Sequence, residues 1–139
     1  MNQSQQFIQI IANASPPHRY NIGQYLLDCG RSWRVGEGSF KCKRGQMGEC
    51  FRNAALMALG DPDLEYVEGY AFGTVVPVHH AWVVNRKDEV LDPTWPDGSD
   101  YFGVIISPTM LRKMMAETRM YGVLTWPSYK TYFDLMRKK

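Results

Sequence analysis

The stretch CFRNAALMAL, Cys50 to Leu59, constrains the fold more than any other. Phe51, Ala54, Ala55, Leu56, Met57, Ala58 and Leu59 make it apolar nearly all round when wound as a helix, and such a helix belongs in the centre of a domain. The loop before it, GQMGE, carries glycines. GDPD after it supplies the stop. A chain of 139 residues can bury such a helix in one hydrophobic core without staples. The remaining segments therefore have to be built around it.

Before this helix, Phe7, Ile8, Ile10 and Ile11 predict a first helix that stops at ASPPHR, where paired prolines end it. YNIGQYLLDCG predicts a second, with Tyr25, Leu26 and Cys29 facing inward and Gly30 as its C-cap. RSWRVGEGSFKCKRGQMGE reads as loop, with one short strand around Trp33 to Val35. After the central helix come β-like runs. EYVEGYAFG alternates in part, HHAWVVN is apolar and β-branched, and EVLDPTW is short. The polar turn NRKDE joins the last two as an antiparallel hairpin. YFGVIIS adds a fourth strand. SPTMLRKMMAETRMYG predicts a helix with Ser107 as N-cap, Pro108 in its first turn and Gly122 after its end. GVLTW reads as a further short strand and SYKTYFDLMRKK as a closing helix. Segregated helices and strands indicate α+β, simplest as a buried central helix on a small antiparallel sheet. One domain, 1–139, is expected, with a helical N-terminal part at 1–30, core motifs at 45–104 and C-terminal helices at 107–139.

Charge excludes several classes of function. Sixteen basic residues against fourteen acidic ones leave a net +2, which gives no electrostatic case for nucleic acid or a membrane surface. The basic end DLMRKK suits a solvated helix terminus. The chain lacks an apolar run of about 18 residues. Its first residues, MNQSQQFIQIIANAS, lack the basic segment and long apolar run of a secretory signal. Three cysteines, Cys29, Cys42 and Cys50, at irregular spacing argue against a disulfide framework and for a reducing, cytoplasmic setting that permits a free thiol.

Cys50 opens the central helix. Unpaired N–H groups and a partial positive charge at a helix N-terminus stabilise a thiolate and a developing oxyanion. A small buried core residue is the other reading of Cys50. His79 and His80 are adjacent in PVHHAWVV and point to opposite faces of a strand. Asp92 in VLDPTW follows the turn. His80 and Asp92 are near-symmetric about positions 86 and 87, so cross-strand pairing is natural. A carboxylate beside a histidine fixes its tautomer and raises its basicity. An Asx turn before proline is the other reading of DPT. Cysteine at a helix start, histidine on a strand and aspartate on the next together form the arrangement for thiol-based acyl transfer. Trp82, Trp95, Tyr101, Phe102 and Trp126 fit core and rim packing, or Trp82 and Trp95 wall a cleft.

These residues resemble the core of the transglutaminase-like branch of the papain-like cysteine enzymes. Gly48, Cys50 and Ala54 match its cysteine helix. His80, Ala81 and Trp82 match its histidine strand, and Asp92, Pro93 and Thr94 its aspartate segment. The chain also resembles small bacterial and bacteriophage proteins with C-x-x-N-A, EGYA, HAW, DPTW and YFGV segments, over about 55 residues from Cys50 to Val104. The resemblance implies Cys50 as nucleophile, His80 as general base and acid, and Asp92 as orienting acid. It implies Gln46 as an oxyanion donor and Asn53 as a positioning or core amide. Glu68 is expected near the site or as the brace of a buried cation, and His79 is expected to point away from Cys50.

Only 29 residues separate Cys50 from His80, which leaves little for a substrate-binding insert. The implied activity is amide acyl transfer through a thioester on a protein or peptide substrate, as a peptidase, amidase, glutamine deamidase or transglutaminase, with no metal or cofactor. The alternatives are an inactive binding or inhibitory module on the same fold, directed at a host protein, and a zinc site of Cys50, His80 and Asp92. The acyl acceptor, the substrate and the oligomeric state are not legible in the sequence.

Overall fold

The computed structural model describes residues 2–14, 20–36, 39 and 44–137. Cys42, the ASPPHR stop beyond Ala14 and the final two lysines lie outside the described residues. The order of elements is α1 (Gln3–Ala14), α2 (Ile22–Cys29), β1 (Arg31–Val35), α3 (Cys50–Gly60), β2 (Glu65–Phe72), β3 (Pro77–Val84), β4 (Glu89–Leu91), β5 (Ser99–Ile106), α4 (Pro108–Thr118) and α5 (Ser128–Arg137). The fold class is α+β, as expected.

The sheet is not the simple antiparallel one expected. Its five strands close into a barrel in the order β1-β4-β3-β2-β5. β1 completes the closure by pairing parallel to β4 and antiparallel to β5. Alternation along the strands then separates two cores. Trp33, Val67, Ala71, Trp82, Val84, Val90 and Tyr101 fill the barrel. Tyr66, Ala81, Val83, Phe102, Val104 and Ile106 point outward and meet the helices through residues such as Ile8, Leu26, Ala54 and Leu111.

Such a small barrel holds a tryptophan only where its wall thins. Gly69 on β2 faces Gly103 on β5. A Cβ at Gly103 would lie 2.6 Å from the Glu68 carbonyl oxygen and 2.9 Å from the Trp82 ring. The glycines of VEGYA and YFGV therefore make room for the Trp82 indole and for close strand approach.

Helix α3 lies on the outer face of the barrel, against β3 and β2, and is not enclosed all round. Asn53, Ala54, Ala55 and Ala58 are buried, whereas Arg52 and Leu56 face solvent. Its alanines bring the helix axis close to the sheet, which matters for the position of its first residue. Asn21 caps α2 and Ser107 caps α4, each accepting a backbone N–H from three residues on. Cys29 is exposed, contrary to its expected inward placement, because Tyr25 and Leu26 already occupy the buried face of the short α2. Gly30 does close α2, but in an extended conformation. The segment GVLTW is not a strand. Its Val123 and Leu124 N–H groups are taken by the Glu68 carboxylate in place of a ladder.

Candidate functional site

The β3–β4 hairpin pairs Val83 with Leu91 and Val84 with Val90. Its register thus centres on Lys87, and Asp92 reaches His80 diagonally from the turn beyond β4. The contact is close all the same, with His80 Nε2 2.8 Å from Asp92 Oδ2 and both residues buried. The DPT segment is also the Asx turn of the other reading. Asp92 Oδ1 accepts the Thr94 and Trp95 N–H groups at 2.8 and 2.9 Å. One carboxylate therefore does both jobs. Oδ2 accepts a second donor, the Tyr101 hydroxyl, at 2.6 Å. Burial alone would raise the Asp92 pKa, but its bond and charge contact with His80, then Tyr101 and the Trp95 N–H, hold it below the ordinary carboxylate range.

The other imidazole nitrogen, His80 Nδ1, is buried with no hydrogen-bond partner among the described residues. Trp95, half-buried, lies flat on the ring at a centroid distance of 3.6 Å and an angle of 10°. It shields the His80–Asp92 bond from water. Trp82 does not wall a cleft. It is fully buried inside the barrel, edge-on to Tyr101, because strand alternation puts it on the same inward face as His80.

Cys50 is the first residue of α3 and is half-buried. The N–H groups of Ala81, the residue after His80, and of Phe51 lie toward its sulfur and act to lower the thiol pKa. The thiol thus docks beside β3 past the last residue that β4 pairs. Burial pushes the thiol pKa up, with Asp92 and Glu68 adding to the rise, and the two N–H groups offset only part of it. This is opposite to the low thiol pKa that the helix N-terminus alone suggests.

Asn53, one turn along, ties the site together. Its amide nitrogen donates to the Gln46 carbonyl at 3.0 Å and to Thr94 Oγ1 at 2.9 Å. The loop before Cys50 is thereby pinned to the turn that carries Asp92. Gln46 is exposed, and it enters the site through this backbone carbonyl.

A second acid–histidine pair sits on the other face of β3. Glu68 is fully buried and accepts from Tyr66 Oη at 2.6 Å, the Val123 N–H at 2.7 Å and the Leu124 N–H at 2.6 Å. His79 Nε2 lies 2.9 Å from it. His79 points away from His80 but toward the helix layer, edge-on to Phe51 at 5.1 Å and stacked on Tyr70 at 5.4 Å. His79, expected to point away from Cys50, thus packs against the first turn of α3. Glu68 was expected near the site or as the brace of a buried cation; Tyr101 as a partner of Asp92, and the Val123 and Leu124 N–H groups as partners of Glu68, were not anticipated. The signal for Tyr101 was its place in a strand with inward alternation next to the paired glycines.

Among the described residues no three His, Cys, Asp or Glu side chains are grouped to hold a metal ion, and no helix is long and apolar enough to cross a membrane. Comparison of the chain with protein-family models, curated proteins and solved structures finds no match in any of the three.

Proposed function

We propose that Cys50, His80 and Asp92 form a thiol acyl-transfer centre acting on an amide of a protein or peptide, on a fold of the papain-like, transglutaminase-like kind. One observation carries this reading. The imidazole of His80 is locked to a buried carboxylate through Nε2 and its Nδ1 is buried with no hydrogen-bond partner among the described residues, while the N–H of the next residue, Ala81, lies toward the Cys50 sulfur. A carboxylate at Nε2 keeps the proton on that nitrogen and leaves Nδ1 with its lone pair. A buried acceptor without a donor is costly in a folded protein, and it is expected where a proton is to be received.

In the proposed reaction the Cys50 proton passes to Nδ1 and the thiolate attacks the amide carbonyl carbon, forming a C–S bond. The C–N bond then breaks as Nδ1 returns the proton to the departing amine, leaving a thioester. Water or a second amine attacks this thioester and gives its proton to Nδ1, and the C–S bond breaks as Nδ1 passes that proton to the departing sulfur, which regenerates the thiol. Asn53 holds the nucleophile loop against the Asp92 turn throughout. Two surface clefts, one lined by Tyr20, Tyr25, Cys29 and Phe133 and one by Arg34, Asp63 and Glu89, lie among other residues. The exposed loop at 45–49 and the half-buried thiol suit an extended chain better than an engulfed small molecule.

The upward shift of the Cys50 thiol favours a second reading, a protein-binding module whose thiol stays protonated. Acyl trapping separates the two. Incubation with an activated ester and mass spectrometry should find the acyl group on Cys50 in the wild type, with strong loss in His80→Ala. Acylation of Cys50 at equal rates in both proteins would remove the catalytic reading.

A further inference from the structure

Asp92 has four donors and two oxygens. Backbone N–H groups hold Oδ1, and that pairing fixes the rotation of the carboxylate. The other oxygen, Oδ2, is shared between His80 Nε2 at 2.8 Å and Tyr101 Oη at 2.6 Å. Negative charge offered to the imidazole is therefore divided with a phenol that is itself buried. We propose that Tyr101 is a positioning residue that sets the basicity of His80 through Asp92. The proposal deepens the acyl-transfer reading but tests separately from it.

The surroundings of Tyr101 hold its hydroxyl in that place. Its ring packs edge-on against Trp82, with centroids 4.9 Å apart at 68°. The backbone at Gly98 passes so close to the hydroxyl that a Cβ there would collide with it. The glycine in WPDGSD is thus explained by the phenol it backs. Burial, then the charge of Asp92 and its hydrogen bond, keep Tyr101 protonated at every ordinary pH, so it acts as a permanent donor. Removing that donor concentrates the carboxylate charge on His80 and stabilises the imidazolium.

The charged and titratable groups around this pair are few. Asp92 comes from the turn after β4, Tyr101 from β5 and Cys50 from α3. Arg44 and Asp97 act on Tyr101 from their loops. The Glu68–His79 pair lies on the opposite face of β3. None of these other groups is altered by a change from tyrosine to phenylalanine.

The test is an NMR titration of the His80 imidazole in wild type, Tyr101→Phe and Gly98→Ala, with thermal unfolding as the check on folding. In Tyr101→Phe the His80 midpoint should rise by about half a pH unit or more. Gly98→Ala, which displaces the hydroxyl, should move it in the same direction. An unchanged or lowered midpoint in folded Tyr101→Phe overturns the proposal. Alkylation of Cys50 is followed on the same samples. If the His80 midpoint rises while Cys50 alkylation is indifferent to His80→Ala, Tyr101 still sets the basicity of His80, and the acyl-transfer reading falls.

Discussion

Replacing Asp92 by asparagine separates charge from shape. The amide has one acceptor oxygen where the carboxylate has two. If that oxygen stays with the Thr94 and Trp95 N–H groups, the amide NH2 faces His80 Nε2 and Tyr101 Oη, which donate in the wild type. The hydroxyl can rotate to accept. The imidazole can accept only by moving its proton from Nε2 to Nδ1. Two charge-assisted bonds become neutral ones, a loss of about 1 to 1.5 kcal/mol each, or about 2 to 3 kcal/mol in all. For a domain of this length about 1 kcal/mol corresponds to ~3 °C in melting temperature, so a fall of about 6 to 9 °C is expected by calorimetry. Under the proposed acyl-transfer reading the functional loss is larger, because a protonated Nδ1 no longer takes the Cys50 proton. With the thiol pKa pushed up by burial, alkylation of Cys50 depends on proton removal by Nδ1, so iodoacetamide labelling of Cys50 near pH 6 should drop about a hundredfold. A folded Asp92→Asn protein that labels at the wild-type rate would refute the tautomer argument.

Three further outcomes follow from the geometry. Cys50→Ser should retain the fold and melt within a few degrees of wild type, yet yield no acylated protein with an activated ester; unfolding instead would mark Cys50 as a packing residue. Burial raises the Glu68 pKa, but His79, Tyr66 and the Val123 N–H outweigh it and leave it lowered. Its stabilisation is therefore present above the unfolded carboxylate pKa of about 4.3 and is lost as pH falls through the lower folded value. Glu68→Gln should cost about 3 kcal/mol or more at pH 7 and flatten the decline of melting temperature between about pH 5 and 2, and parallel curves would contradict this. Gly103→Ala places a methyl group against the Glu68 carbonyl and the Trp82 ring, so it should destabilise by about 1 to 3 kcal/mol and shift Trp82 fluorescence on denaturant unfolding.

What was legible in the sequence was local or nearly so. Ser107 and Pro108 announced α4, the apolar, β-branched run HHAWVVN announced β3, and NRKDE announced the hairpin, because capping, strand propensity and turn chemistry act within a few residues. The candidate trio followed from the same short spacings. Closure of the barrel was not legible, since β1 meets β4 and β5 across more than fifty residues and its five-residue run carries no partner information. That one omission explains two others. Without closure, the inward face of β3 reads as a cleft, and Trp82 as its wall. Likewise, parity separates His79 from His80, but only the packing of α3 decides which face the helix covers. GVLTW failed for another reason, because a buried carboxylate took the N–H groups that a strand would have paired.

The most direct test of the central claim is the pH dependence of iodoacetamide labelling at Cys50, with exposed Cys29 as the internal reference, in wild type, His80→Ala and His79→Ala. The account predicts that Cys50 labels faster than Cys29 near pH 6, that His80→Ala abolishes this advantage and that His79→Ala leaves it. Labelling of Cys50 no faster than Cys29, or an advantage that survives His80→Ala, would contradict a thiol–imidazole pair and leave Cys50 as the first residue of a packed helix.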